Sequence, residues 1–100
     1  MPKAAIFMAQ GFEEMELVII VDLLRRAGVE VHIVAIEDSL KPVLGSRNIR
    51  IIPEMTMEQV KPEVYDVFIL PGGLEGTRRL GECEPLLNLL RQAHNLGRRI

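Results

Sequence analysis

One hundred residues with 48% apolar and 26% charged side chains describe one ordinary globular domain, not a disordered or fibrous chain. A net charge of -2 supplies no basic excess for nucleic acid or an anionic membrane, and 4% aromatic residues offer little surface for stacking on bases or sugars. A single cysteine excludes an internal disulfide framework and a cysteine-rich zinc site.

Met1-Pro2-Lys3 leads into an apolar segment, Ala4 to Ala9, that is too short for a signal-peptide core and lacks a cleavage signature. The other apolar run, Leu17 to Val21, is stopped by Asp22, far short of a membrane span. A cytoplasmic protein is the expectation. Lys3 to Met8 is apolar on both faces, as a central strand of a parallel sheet must be, and Gln10-Gly11 ends it. Leu17, Ile20, Val21 and Leu24 then recur at helical spacing behind an acidic start, Glu13-Glu14-Met15-Glu16. Val18 and Ile19 widen the apolar face, so this helix is expected to be buried on more than one side. Arg25 and Arg26 suit its negative end, and Gly28 suits the left-handed cap.

Val29 to Ile36 reads as the second strand. Val43 to Ser46 and Asn48 to Ile52 read as short strands or a hairpin, ended by Pro53, and Thr56 to Val60 as a single helical turn. Tyr65 to Leu70 is a further strand, stopped by Pro71-Gly72-Gly73. Leu74 to Gly81 is expected to be loop or distorted helix. Pro85 opens a helix with Leu86, Leu89, Leu90 and Ala93 on one face, which Gly97 closes. Gly97-Arg98-Arg99-Ile100 looks like the first step of another strand. The order β-α-β-β-β-α-(β) is that of a doubly wound, mostly parallel α/β sheet with a hairpin excursion.

Chemistry in such folds gathers at the carboxyl ends of the strands. Glu16 follows the first strand's end and is expected to lie near the apolar face, partly buried, where a carboxyl can hold a proton and act as acid or base. The plainer reading is that Glu13, Glu14 and Glu16 complement the helix dipole. Gly72-Gly73 ends a strand with backbone N–H groups unobstructed by side chains, suited to an oxyanion, or it is only a tight turn. Cys83 precedes a helix that could lower its pKa, but no histidine is near it in sequence; a structural role is the plainer reading. His32 alternates with strand residues and His94 sits at the far end of a helix, and neither belongs to a group with metal-ligand spacing. Arg25-Arg26 and Arg47 either solvate their elements or bind carboxylates and bridge subunits.

Taken in order, Gly11-Phe12-Glu13-Glu14-Met15-Glu16, Val21-Asp22, Arg25-Arg26-Ala27-Gly28, Ser46-Arg47 and Tyr65-Asp66-Val67 leading to Leu70-Pro71-Gly72-Gly73 resemble the ThiJ/PfpI superfamily, in its branch of parkinsonism-associated protein deglycase and bacterial relatives. The resemblance covers essentially the whole chain. It implies a flavodoxin-like sheet of which residues 1–100 form the N-terminal half of a three-layer α/β/α sandwich, a homodimer of the complete domain, and no cofactor or metal. It also implies a nucleophilic cysteine on a strained strand-to-helix elbow a few residues beyond Ile100. Glu16 matches the glutamate that contacts this cysteine, and Gly73 the residue whose N–H helps to form the anion pocket, with Gly72 beside it. Arg25 or Arg26, and Arg47, match basic residues near the pocket and interface. A peripheral cysteine of that family corresponds to Ile52 here, and Cys83, His32 and His94 match no elbow residue.

The expectation is an enzyme of small reactive aldehydes, of glyoxalase or protein deglycase type, whose thiol lies on a C-terminal remainder carried by a missing or second chain. Ile100 is then a break in the backbone, because two helices cannot cover both faces of the sheet. The alternatives are a redox sensor or chaperone, in which Glu16 stabilises an oxidised thiol, and a cysteine peptidase or hydrolase. A flavodoxin-like cofactor binder is disfavoured because the loop at Gln10-Gly11 has no phosphate-cradling run.

Overall fold

The structure, a computed structural model, describes residues 2–100; Met1, counted in the amino-terminal run above, lies outside the described residues. In chain order the elements are β1 (Lys3–Met8), α1 (Glu14–Arg26), β2 (Glu30–Ala35), β3 (Val43–Leu44), β4 (Arg50–Ile51), β5 (Met55–Thr56), β6 (Val67–Ile69), α2 (Leu74–Gly81) and α3 (Glu84–Asn95). Short 3-10 turns at Met57–Gln59 and Pro62–Val64 join β5 to β6.

β1 is central, apolar on both faces, with Ala4 to Met8 completely buried. It pairs in parallel with β2, Lys3 opposite Glu30 through Met8 opposite Ala35, and with β6, Ala4 opposite Val67. β5 adds to the far side of β2, giving the parallel order β5-β2-β1-β6, while β3 and β4 form a separate antiparallel hairpin. The period-two alternation of a strand divides the core in two. Ala5, Phe7 and Ala9 face α2 and α3 with Phe68, Leu86 and Leu89, and Phe7 stacks on Phe68 at 6.2 Å between ring centroids. Ala4, Ile6 and Met8 face α1 and the hairpin with Phe12, Leu17 and Val21.

After β6 the chain returns beside it: Val67 bridges Arg99 in parallel, and Phe68 N–H donates to Arg99 O at 2.8 Å. Arg99 thus forms an isolated parallel bridge beside β6, in the segment that the sequence suggests as the first step of a strand.

Two expectations are corrected. Met15, Val18, Ile19 and Leu23 are half-exposed or more, so within this chain α1 is buried on one face only. Leu17 and Val21, a turn apart, take that face, and nothing in the described residues covers the other. Residues 74–81 form a regular helix, not a loop or distorted turn, so three helices flank the sheet. Gly76 lets this helix pack closely on the β1–α1 segment: a Cβ on it would sit 2.9 Å from Phe12 Cα and N.

Candidate functional site

The strand order turns around at β1. From β1 the chain winds outward through β2 to β5, then crosses back to β6 on β1's other side. The carboxyl ends of β1 and β6 therefore flank the switch point, where open α/β sheets form their binding crevice. The β1 end continues as Ala9 to Glu13 into α1; the β6 end continues as Leu70-Pro71-Gly72-Gly73 into α2.

Backbone hydrogen bonds fasten these two segments directly. Glu13 N–H donates to Gly72 O at 3.0 Å, and Gly76 N–H to Gly11 O at 3.3 Å. Gly73, at φ +105°, sits so close that a Cβ would collide with Gly11 O and lie 2.9 Å from Glu13 N. Only glycine meets both demands there.

Glu16 reaches across this junction. Its Oε1 accepts the Gly72 N–H at 2.8 Å, and a Cβ on Gly72 would stand 2.8 Å from that same oxygen. The Pro-Gly-Gly sequence thus does more than turn the chain, since it lets a carboxylate approach the backbone. Glu16 is exposed, which corrects the expectation of partial burial. The buried carboxylate of the first turn is Glu14, only 5% exposed. Two residues on an α-helix are separated by about 200° around the axis. With Glu14 pointing inward beside Leu17 and Val21, Glu16 must point away.

Glu14 fills a concave loop. Its Oε2 accepts the N–H groups of Arg47 at 2.8 Å and Ile49 at 3.1 Å, and its Oε1 accepts the Ser46 hydroxyl at 3.2 Å. Asn48 between them is left-handed at φ +67°, the geometry in which successive N–H groups converge on an anion. Burial pushes the Glu14 carboxyl up, but hydrogen bonds from its own backbone, Ile49, Arg47 and Ser46 outweigh it and hold the group below the usual carboxylate range. Sequence reading missed this residue, although the signal was present: Glu14, Leu17 and Val21 fall at i, i+3 and i+7, on the buried stripe itself.

The other candidates are dispersed. Arg47 is placed by its backbone N–H, and its exposed guanidinium donates to Ser46 O at 3.4 Å. Arg25 is a clasp, donating to Val31 O at 2.9 Å and to Glu54 Oε1 at 2.8 Å. Arg26 pairs with Asp22 at 2.9 Å on the exposed side of α1, and ten residues of helix separate it from Glu16 by about 15 Å. Cys83 is half-buried at the start of α3, packed against the core. His32 bonds Tyr65 Oη through Nδ1 at 2.6 Å and Glu30 through Nε2 at 2.9 Å, near the strands' amino ends. His94 is exposed in the last turn of α3. Among the described residues no group of three or more His, Cys, Asp or Glu could hold a metal ion, and no helix is long and apolar enough to cross a membrane.

Beside Gly72 an open apolar cleft of about 280 Å³ runs between α2 and α3, lined by Leu70, Pro71, Thr77, Leu80 and Leu86. The site thus has a carboxylate and bare backbone on one side and unfilled apolar space on the other.

A parallel sheet that turns around at its central strand, with a carboxylate on a bare glycine turn at the switch point, defines a flavodoxin-like α/β domain with its crevice at the carboxyl edge. The model of the DJ-1/PfpI family matches residues 2–100. Protein DJ-1 homolog A of Arabidopsis thaliana is 40% identical over 91 residues, covering 91% of this chain and 23% of that protein. The glutathione-independent glyoxalase DJR-1.2 of Caenorhabditis elegans is 34% identical over 79 residues, covering 79% of this chain and 41% of that one. The crystal structure of Drosophila melanogaster DJ-1beta superposes with a TM-score of 0.91 at 37% identity, over 97% of this chain and 52% of that chain. The chain belongs to the DJ-1/PfpI family. It spans about half the length, or less, of these relatives.

Proposed function

We propose that residues 1–100 are the N-terminal portion of a cysteine-dependent enzyme acting on small reactive carbonyls, of glyoxalase or deglycase type, with its nucleophilic thiol in polypeptide beyond Ile100. The observation that carries the reading is the Glu16–Gly72 hydrogen bond at the switch point, beside an open apolar cleft. The name of the Caenorhabditis elegans relative, a glutathione-independent glyoxalase, points to the same chemistry.

In this reading the thiolate adds to the aldehyde carbon of a 2-oxoaldehyde such as methylglyoxal, and the carbonyl oxygen takes up a proton to give a hemithioacetal. Glu16 removes the proton from that carbon and returns it to the neighbouring one, so the first carbon is oxidised as the second is reduced. Water then cleaves the resulting thioester, releasing a 2-hydroxy acid and the thiol. No external redox partner enters. The Gly73 N–H, which has no partner among the described residues, is the donor offered to the developing oxyanion. The bare stripe Met15, Val18, Ile19 and Leu23 on α1 suits a second copy of the complete domain, with exposed Arg26 and Arg47 as interface or anion-binding residues.

The test is lactate production from methylglyoxal by the full-length protein without glutathione. Activity should disappear on thiol alkylation and persist in Cys83→Ser. Glutathione dependence, or loss of turnover in Cys83→Ser, contradicts the assignment.

A further inference from the structure

We infer that Glu14 is the positioning residue of this site: its carboxylate fills the Ser46–Ile49 loop as an internal anion and so fixes the segment from which Glu16 reaches Gly72. The link is a continuous set of bonds. The hairpin loop holds the segment from one side, through Gly11 N–H to Leu44 O at 2.9 Å and Ser46 N–H to Phe12 O at 2.9 Å. The Gly72 turn holds it from the other side, through Glu13 N–H to Gly72 O at 3.0 Å. Glu14 begins α1 at the end of this strap, and Glu16 lies two residues on.

Gly45 is the second, independent observation. Its φ is not in the left-handed region, so its backbone does not require glycine. A Cβ on it would instead collide with Glu14 Cδ and Oε2. The missing side chain at 45 is therefore the space the carboxylate occupies. The loop is built around an anion, and the chain supplies that anion from its own helix.

Only the activity readout depends on the proposed reaction; the coupling itself is read from backbone amides. In the full-length protein, residue-resolved hydrogen exchange is compared for wild type, Glu14→Ala, Gly45→Ala and the double variant, with Glu54→Gln as a control that loosens the Arg25 clasp elsewhere. Glu14→Ala should speed exchange at Arg47 and Ile49, and also at Gly72, by about tenfold, roughly the loss of one hydrogen bond. Added formate should slow all three again by refilling the loop. Gly45→Ala should match Glu14→Ala when made alone and add nothing to it in the double variant. Glu54→Gln should lower stability yet leave Gly72 unchanged. With methylglyoxal, Glu14→Ala should lower kcat more than it raises KM.

Faster exchange at Arg47 and Ile49 with Gly72 unaffected would make Glu14 a loop anchor only and overturn the inference. Failure of formate to restore protection, or a Gly45→Ala protein indistinguishable from wild type, would also overturn it. Absence of carbonyl turnover in the wild-type protein counts against the proposed function alone, because Gly72 exchange still decides the coupling.

Discussion

The two ends of this sheet are held together by different means. At the carboxyl end, Gly11, Gly73 and Gly76 let main chain approach main chain, and Gly72 admits the one carboxylate that caps the junction. At the amino end, ordinary side chains do the work: Arg25 clasps Val31 and Glu54, while Glu30, His32 and Tyr65 form a hydrogen-bonded row. Side-chain clasps yield gradually when one partner is trimmed. A backbone junction has no slack, so it should respond sharply to a single methyl group. The difference suits an edge that must present amides and a carboxylate in a fixed arrangement beside an end that only needs to stay closed.

The largest effect should come from Gly73→Ala. The new Cβ meets carbonyl and amide atoms that cannot step aside, at a φ that alanine rarely adopts. A loss of about 3 kcal/mol or more is expected, seen as a drop in the urea midpoint of the full-length protein. A loss no greater than that of an amino-end variant breaks the comparison. Tyr65→Phe is the amino-end counterpart. It removes a hydroxyl bonded to His32 Nδ1 and to Met55 Sδ at 3.3 Å, and half-exposed His32 can turn to water, so about 1 kcal/mol is expected by the same measurement.

pH separates the ends further. Glu14's carboxyl is depressed in the folded state by the loop N–H groups and the Ser46 hydroxyl acting against its burial. Its contribution is therefore present above the unfolded carboxyl pKa and lost as pH falls through the folded value. Acid titration of stability should be shallower in Glu14→Gln. Tyr65 is displaced upward, first by burial, then by the charges of Glu30 and Glu54. Its contribution is complete below the unfolded phenol pKa and is lost as pH rises through the higher folded value. Stability in alkali should thus fall less steeply in Tyr65→Phe, and the Tyr65 phenolate should appear, by ultraviolet absorbance, only above the usual range. The smallest effect belongs to Arg26→Ala. Its pair with Asp22 is exposed on one helix face, so about 0.3–0.5 kcal/mol is expected in the urea midpoint.

Much of the carboxyl end was legible in the sequence because its signals are local. A strand apolar on both faces suits the middle of a sheet, and Pro-Gly-Gly after a strand leaves its amides unobstructed by side chains of their own. The amino end and the Glu14 loop were not legible, because Arg25–Glu54, His32–Tyr65 and Glu14–Ile49 join residues 29, 33 and 35 positions apart. No local pattern marks which of several such pairs will form. Two misreadings share a cause. Residues 74–81, which include Gly76, looked like loop or distorted helix, and Glu16 looked partly buried near the apolar face. In both cases a contact from another segment, Phe12 and Gly72 respectively, determines the role.

The central claim is that the Glu16 carboxylate, held by Gly72, moves the proton in carbonyl chemistry. The most direct test compares kcat for methylglyoxal in full-length wild type and Glu16→Gln, which keeps the hydrogen-bond acceptor but removes the base. A fall of about 100-fold or more with KM little changed is predicted. Equal turnover in the two proteins would contradict it.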